Sequence, residues 1–439
     1  MIRLKAFLIS IVLVLITLVI LNKTYIKKIE DYYKVNDNSV RYSVSFEKYK
    51  SKDIILENIT PKTLVLLGSS ELTTTINEDY HPKKIFNYED FNIMQIGVGN
   101  SQNIIHAATI GSIGNDVRNN EIVMIQSIQW FDNKNGILKD AFLSRISSEH
   151  VYNTMANDKI SKETKEKFIN RVIELSSTNK VLNKKYRSYK KYFVQGQGNF
   201  ITGEFLKFDT YFYKLKNKYG FFKNKGKENY PLSGEKTPDY DWKELDEKVT
   251  EQAKERTNNN DYQIDNTYYD KYIKSKYDQL KNSSKNTKYD ESKEYDDLDI
   301  LLSIIKDLNL NLKFAILPAN GKWSDYTGID SEKRQVAYNN LKKIAKNINA
   351  AFVEIEYNSE RQTVYFDMAE LKYLIFADEK EHTVLHEGDD IVIKISKLPI
   401  KNKLAGATAN LSGCEVLDQI IAKKNYIKAP AMLYAGSKD

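Results

Sequence analysis

The order of apolar and polar positions divides the chain into a short leading stretch and a long alternating body. Ala6 to Leu21 (AFLISIVLVLITLVIL) is sixteen residues without a charge, with Arg3 and Lys5 before it and Lys23, Lys27 and Lys28 after it. A bilayer span needs about 20 residues, and Leu4 and Asn22 bring the run close to that. No Ala-x-Ala pattern follows at Ile20-Leu21-Asn22-Lys23, so an uncleaved signal anchor over residues 1–24 is expected rather than a cleaved leader. Lysines on both flanks leave its orientation open by charge alone. Residues 25–60 are polar with scattered aromatics and read as a juxtamembrane connection.

From there two periods alternate. Thr63–Leu67, Asn92–Ile96, Glu121–Ser127, Leu312–Leu317 and Ala351–Glu356 are short apolar runs bounded by turn residues, each predicting a buried strand. Ser101–Ile113, Lys159–Leu175 and Ser331–Asn349 have helical spacing. Leu298, Leu301, Leu302, Ile305 and Leu308 recur at three and four, predicting a helix with one buried face. Strands alternating with helices predict an α/β fold with a mainly parallel sheet covered on both sides. Residues 180–297 break the alternation. Rich in Lys, Tyr, Asn and Asp, they read as a mostly helical insertion covering one edge of the sheet, with 282–297 as a solvated connection. No internal repeat is present.

Composition narrows the picture a little. The 439 residues are 41% hydrophobic and carry a net charge of +7, enough apolar material for a sizeable core. The basic residues are spread along the chain, which suits a surface facing polyanions, but no nucleic-acid motif accompanies them. A single cysteine, Cys414, excludes an internal disulfide and a Cys-rich zinc site.

The strongest chemical signal is Leu64 to Leu72, LVLLGSSEL, an apolar run that stops at Gly-Ser-Ser. A buried strand ending in a Gly-Ser turn lifts a hydroxyl to the carboxyl edge of a sheet, so Ser70 is the candidate nucleophile. A serine needs a base, and histidine is the usual one. Of the five histidines, His81 reads as a turn residue, His106 as a core residue in an apolar helix, and His150 as exposed in a Ser-rich stretch. His382 and His386 remain. Gly97 and Gly99 could present backbone N–H groups to an oxyanion; equally, Asn100 or Ser101 could be a plain helix N-cap. Gln129-Trp130-Phe131 after the third strand and the long loop Pro318–Gly328 after the fourth would line the same edge.

Together these segments resemble the DltD family, the membrane-anchored proteins of teichoic-acid D-alanylation in Gram-positive bacteria. The resemblance lies in LVLLGSSEL, IGVGNSQNIIHA, SIQWF, LDEKVTEQAKERTNNNDYQIDNTYYDKYI and ILPANGKWSDYTG, in family order up to about residue 357. It implies a three-layer α/β/α, flavodoxin-like domain similar to the SGNH hydrolases, spanning residues 61–370, with a Ser-His-Asp triad. By the same resemblance Ser70 is the nucleophile, Asp367 the orienting acid, and Gly99 and Gln129 oxyanion or substrate contacts. The implied activity is D-alanyl transfer to a teichoic-acid hydroxyl outside the cell. The implied partners are the membrane, the polymer, a membrane-embedded acyltransferase and an acyl carrier. No metal or organic cofactor is implied.

Two departures stand out. Ile128 occupies a position where the family usually has proline. More seriously, the family's late Asp-x-x-His becomes Asp367-Met368-Ala369-Glu370, and a glutamate cannot replace imidazole near neutral pH without a large pKa shift. Residues 371–439 do not resemble the family. Three explanations stay open: a foreign tail from a frameshift or fusion, which is favoured; His382 or His386 in the role; or lost chemistry. Within the tail, Glu387–Asp390 before IVIKI reads as a turn into a strand. The rival functions are a thioesterase or esterase on the same fold, and a non-catalytic membrane scaffold of the same pathway.

Overall fold

The computed structural model describes residues 2–26, 38–43, 46–73, 92–117, 121–224, 255, 257–262, 264–317, 319–347 and 351–357, with four short strands at 382–385, 391–395, 409–410 and 417–418. Its centre is a seven-stranded sheet of order β2-β1-β3-β4-β5-β7-β6. The strands are β1 (Thr63–Leu67), β2 (Asn92–Ile96), β3 (Glu121–Ser127), β4 (Asn311–Leu317), β5 (Ala351–Tyr357), β6 (His382–Leu385) and β7 (Ile391–Ile395). The first five are parallel. β7 pairs antiparallel with β5, and β6 antiparallel with β7, so IVIKI is a strand as expected, while the turn expected at Glu387–Asp390 lies outside the described residues. The parallel order 2-1-3-4-5 is flavodoxin-like, and it reverses direction beside β1, where such folds bind ligands.

All five residues of β1 and of β2 are buried, as are Ile122–Gln126 of β3. Burial of successive residues means that both faces of the sheet are covered, the condition that makes these strands read as unbroken apolar runs. The helix after β2, α4 (Asn103–Ile113), is buried along its whole length between α6 (Ser148–Ala156) and α10 (Glu294–Asp307). Small residues allow the close crossing: a Cβ on Gly111 would come 2.5 Å from Thr154 Cγ2. Thr154 Oγ1 donates to Ala108 O at 2.9 Å, and Asn157 Nδ2 donates to Gly111 O at 2.9 Å.

The segment expected to be an anchor is α1 (Ile2–Ile20), exposed from Arg3 to Ile20 apart from half-buried Leu18, and Arg3–Ile20 is long and apolar enough to cross a membrane. A π-helical turn, Leu21–Ile26, continues it. The stretch expected to be a connection contributes short helices, among them α2 (Phe46–Lys50) and α3 (Lys52–Glu57), and inserts Val40, Tyr42, Ile55 and Ile59 into the core. Tyr42 Oη accepts from Ile93 N of β2 at 3.1 Å. In the insertion, α8 (Lys180–Tyr189) and α9 (Phe200–Asn224) are helical as expected.

Three expectations are corrected. Residues 282–297 are not all solvated: Tyr289, Ser292, Glu294 and Asp297 are buried. Arg171 of α7 (Lys162–Leu175) explains this, since its Nε and Nη2 donate to Asp297 Oδ1 and Oδ2 at 2.7 and 3.0 Å. A polar run looks solvated only while its distant partner is unknown. His150 is 1% exposed rather than at the surface. The serines around it are consumed by capping and packing: Ser147 Oγ accepts from His150 N, and Ser148 Oγ meets Tyr186 Oη at 3.1 Å. Finally, the long loop after β4 holds a two-turn helix, α11 (Gly321–Thr327). Asn320 Oδ1 accepts from Trp323 N at its start, and Gly328 closes it at φ 93°, an N-cap and a C′ glycine visible in the sequence.

Candidate active site

The carboxyl ends of β1 and β2 are held together by backbone. Leu67 pairs with Ile96, and Gly68 N donates to Ile96 O at 3.1 Å. A Cβ on Gly97 would sit 2.0 Å from Gly68 O, so only glycine lets the two loops touch. Ser69 Oγ donates to Val98 O at 3.4 Å, Val98 N to Ser101 Oγ at 3.2 Å, and Ser101 N to Val98 O at 2.8 Å. Ser69 is therefore structural and buried. Ser70 begins a 3₁₀ turn, Ser70–Thr73, pinned by the fully buried Leu72, and is itself half-buried.

Gly99 lies against this serine: a Cβ built on it would be 3.8 Å from Ser70 Cβ. Arg145, the last residue of α5 (Lys139–Arg145), donates from Nε to Gly99 O at 2.6 Å. With that carbonyl held, the trans peptide turns the Asn100 N–H the other way, and Asn100 takes the left-handed conformation at φ 67°. Neither Asn100 nor Ser101 caps α4. Its N-cap residue, Gln102, makes no side-chain cap bond. Instead Glu294 Oε1, from 191 residues away, accepts from Asn103 N at 2.9 Å. Burial and the neighbouring Asp297 push the Glu294 carboxyl well above its ordinary range.

Gln129 lies in the 3₁₀ turn Ile128–Phe131 at the end of β3, the other neighbour of β1; Ser127 Oγ accepts its N–H at 3.2 Å. Ile128, Trp130 and Phe131 are buried and Gln129 is half-buried. Beneath these loops lies His106, 1% exposed. Its ring is 6.1 Å from that of Trp130 and faces the backbones of Gly68 and Ser101 without full hydrogen-bond geometry. Burial lowers its pKa to about 4, so it is a neutral prop at physiological pH. A small cavity behind the Gly97–Ser101 loop is lined by His106, Arg145 and His150, among others.

The structure thus brings Ser70 and Gly99 together and places Gln129 on the adjoining strand end. Asp367 and His386 lie outside the described residues. His382 opens β6, at the far edge of the sheet. Five strand spacings separate β6 from β1, about 24 Å at about 4.8 Å each, so this position is not beside Ser70. Arg145 and Glu294 escaped sequence reasoning. Each acts on backbone far away in sequence, and no local pattern marks such a role.

A flavodoxin-like sheet with a hydroxyl-bearing turn at its reversal point defines an α/β protein of the class whose ligands bind at the strand-end rim. Residues 39–371 match the family described as DltD protein, and the chain belongs to that family. Protein DltD of Bacillus subtilis (strain 168) is 30% identical over 314 residues, covering 70% of this chain and 77% of the relative. Protein DltD of Staphylococcus aureus (strain NCTC 8325 / PS 47) is 25% identical over 283 residues, covering 63% and 68%. That of Lacticaseibacillus rhamnosus is 24% identical over 304 residues, covering 66% and 68%. Membership carries a role in teichoic-acid D-alanylation.

Proposed function

We propose that this chain is a membrane-anchored acyl-transfer protein in which Ser70 carries a D-alanyl group to a teichoic-acid hydroxyl. The observation that carries the reading is the apposition of Ser70 and Gly99 at the point where the strand order reverses. Ser70 Oγ attacks the acyl carbonyl, a histidine takes the proton, and Asp367 orients that histidine; as the tetrahedral adduct collapses the bond between the acyl group and its donor breaks, and the histidine returns the proton to the departing donor atom. Backbone N–H groups by Gly99, with Gln129, stabilise the oxyanion. The polymer hydroxyl then attacks the acyl-serine, forming an ester and freeing Ser70. The alanine amine stays free and offsets negative charge on the polymer. Hydrolysis would use the same acyl-serine with water as acceptor. α1 holds the domain on the outer face, beside the membrane-embedded acyltransferase and acyl carrier of the pathway.

A second reading, a scaffold without catalysis, is favoured by one observation: His382 stands at the far edge of the sheet. The test is D-alanine ester content of the wall in cells carrying the chain, Ser70→Ala, His382→Ala or His386→Ala. Catalysis predicts that Ser70→Ala lowers ester content to that of cells lacking the chain, and that the variant removing the base does the same. Full ester content with Ser70→Ala leaves the scaffold.

A further inference from the structure

One surface of the insertion breaks the rule that a helix turns its polar side outward. α9 packs against the body through α2 and α6. Thr210 and Asn217 lie on its inner side at 7% and 9% exposure, and Asn217 Nδ2 donates to Lys50 O and Glu149 Oε2. The side away from the body should be charged. It instead carries Ile201, Phe205, Phe208 and Phe212, which are 61%, 69%, 44% and 40% exposed. Spacings of four, three and four keep these residues on one edge, about 16 Å long at the rise of a helix. Phe208 and Phe212 meet edge to face at 4.9 Å, so the rings form a continuous ridge rather than scattered contacts.

The fold points to what covers this ridge. α9 touches the Leu21–Ile26 turn, where the anchor helix ends. The helix is thereby fastened to the boundary of whatever bilayer α1 crosses. Lys207 and Lys216 are exposed on α9, as is Glu204; the long cationic side chains can reach anionic headgroups while their stems lie on apolar surface. Lipid at the end of an anchor is always present, whereas a dissociable protein partner would leave the four side chains wet for part of the time.

We propose that α9 lies in the membrane interface, its Ile201-Phe205-Phe208-Phe212 edge seated among lipid chains at the headgroup level. This rests on the reading of α1 as a membrane span. The helix is a second contact with the bilayer, and it gives the domain a fixed orientation. Because α9 is clamped to α2 and α6, the whole domain would be held at one tilt relative to the membrane.

The test uses the full chain with Cys414→Ser and one added cysteine bearing a nitroxide label, reconstituted in nanodiscs of phosphatidylcholine and phosphatidylglycerol. Labels go on Leu13→Cys, Phe208→Cys and Lys139→Cys. The measurement is relaxation by oxygen, which concentrates in lipid, against relaxation by a water-soluble nickel chelate. The expected result is oxygen-dominated relaxation at positions 13 and 208, shallower at 208, with nickel dominating at 139. Nickel dominance at 208 with oxygen dominance at 13 overturns the inference and leaves the anchor standing. Nickel dominance at 13 overturns the anchor reading and the inference with it. Shielding of position 208 from both agents means that protein covers the ridge, a second copy if the spectrum broadens with protein density, and also overturns the inference. With a label on Ile201→Cys, replacing Phe205, Phe208 and Phe212 together by Ser, all on the outer face, is expected to raise nickel accessibility several-fold. An unchanged value overturns lipid insertion.

Discussion

At the scale of single residues the candidate site depends on space and on charge. Gly97 has no room for a methyl group beside Gly68 O. Gly97→Ala must push apart the loops that carry Ser70 and Gly99, and is expected to cost about 1–3 kcal/mol, the range of overpacked sites, read as a lower urea midpoint. His150 is a buried imidazole whose Nε2–H donates to Tyr49 O at 2.9 Å, and burial lowers its pKa to about 4. A lowered base stabilises the fold above its unfolded pKa of about 6.5 and loses that contribution as pH falls toward 4, up to about 3 kcal/mol at about 1.4 kcal/mol per unit. Glu149 has the opposite sign. Burial raises it to about 7, so its contribution is full below about 4.5 and is lost as pH rises through 7. Melting temperatures from pH 4 to 8 should therefore show a flatter acid limb for His150→Gln and a flatter neutral limb for Glu149→Gln. Unchanged slopes would mean that these groups are not buried as described.

At the scale of elements, α4 is placed by two neighbours rather than by its own sequence. Its eleven buried residues press on α6 and α10, and its first N–H is satisfied from α10 by Glu294. Beside that cap, Arg171 joins α7 to Asp297 of α10 and also donates to Asn135 O at 2.8 Å. Removing one member of a buried pair strands the other, at a cost of about 3–5 kcal/mol. Asp297→Ala is expected to lose that much by denaturant melting and, since α10 also caps α4, to loosen the Gly97–Ser101 loop. Faster hydrogen exchange at Asn103 would report this. Melting within about 1 kcal/mol of the parent would remove the pair from the list of important contacts.

At the scale of the whole molecule, the sheet reversal puts the ends of β1, β2 and β3 side by side, and the α9 contact with the Leu21–Ile26 turn ties the domain to one end of α1. Deleting residues 1–26 is expected to move the protein from the membrane fraction to the soluble fraction after mild salt washing; retention would assign membrane binding to α9 or another surface. The first five strands, the anchor run and Ser70 at a strand end were legible in the amino-acid sequence alone. Each is a local matter: period two or unbroken burial marks a strand, and a Gly-Ser turn marks its end. The neighbour of each strand, the burial of His150, Glu294 and Asp297, the cap on α4 and the grip of Arg145 on Gly99 were decided only by tertiary structure. All of them join residues distant along the chain, and a polar side chain reads as solvated until the partner that satisfies it is folded against it.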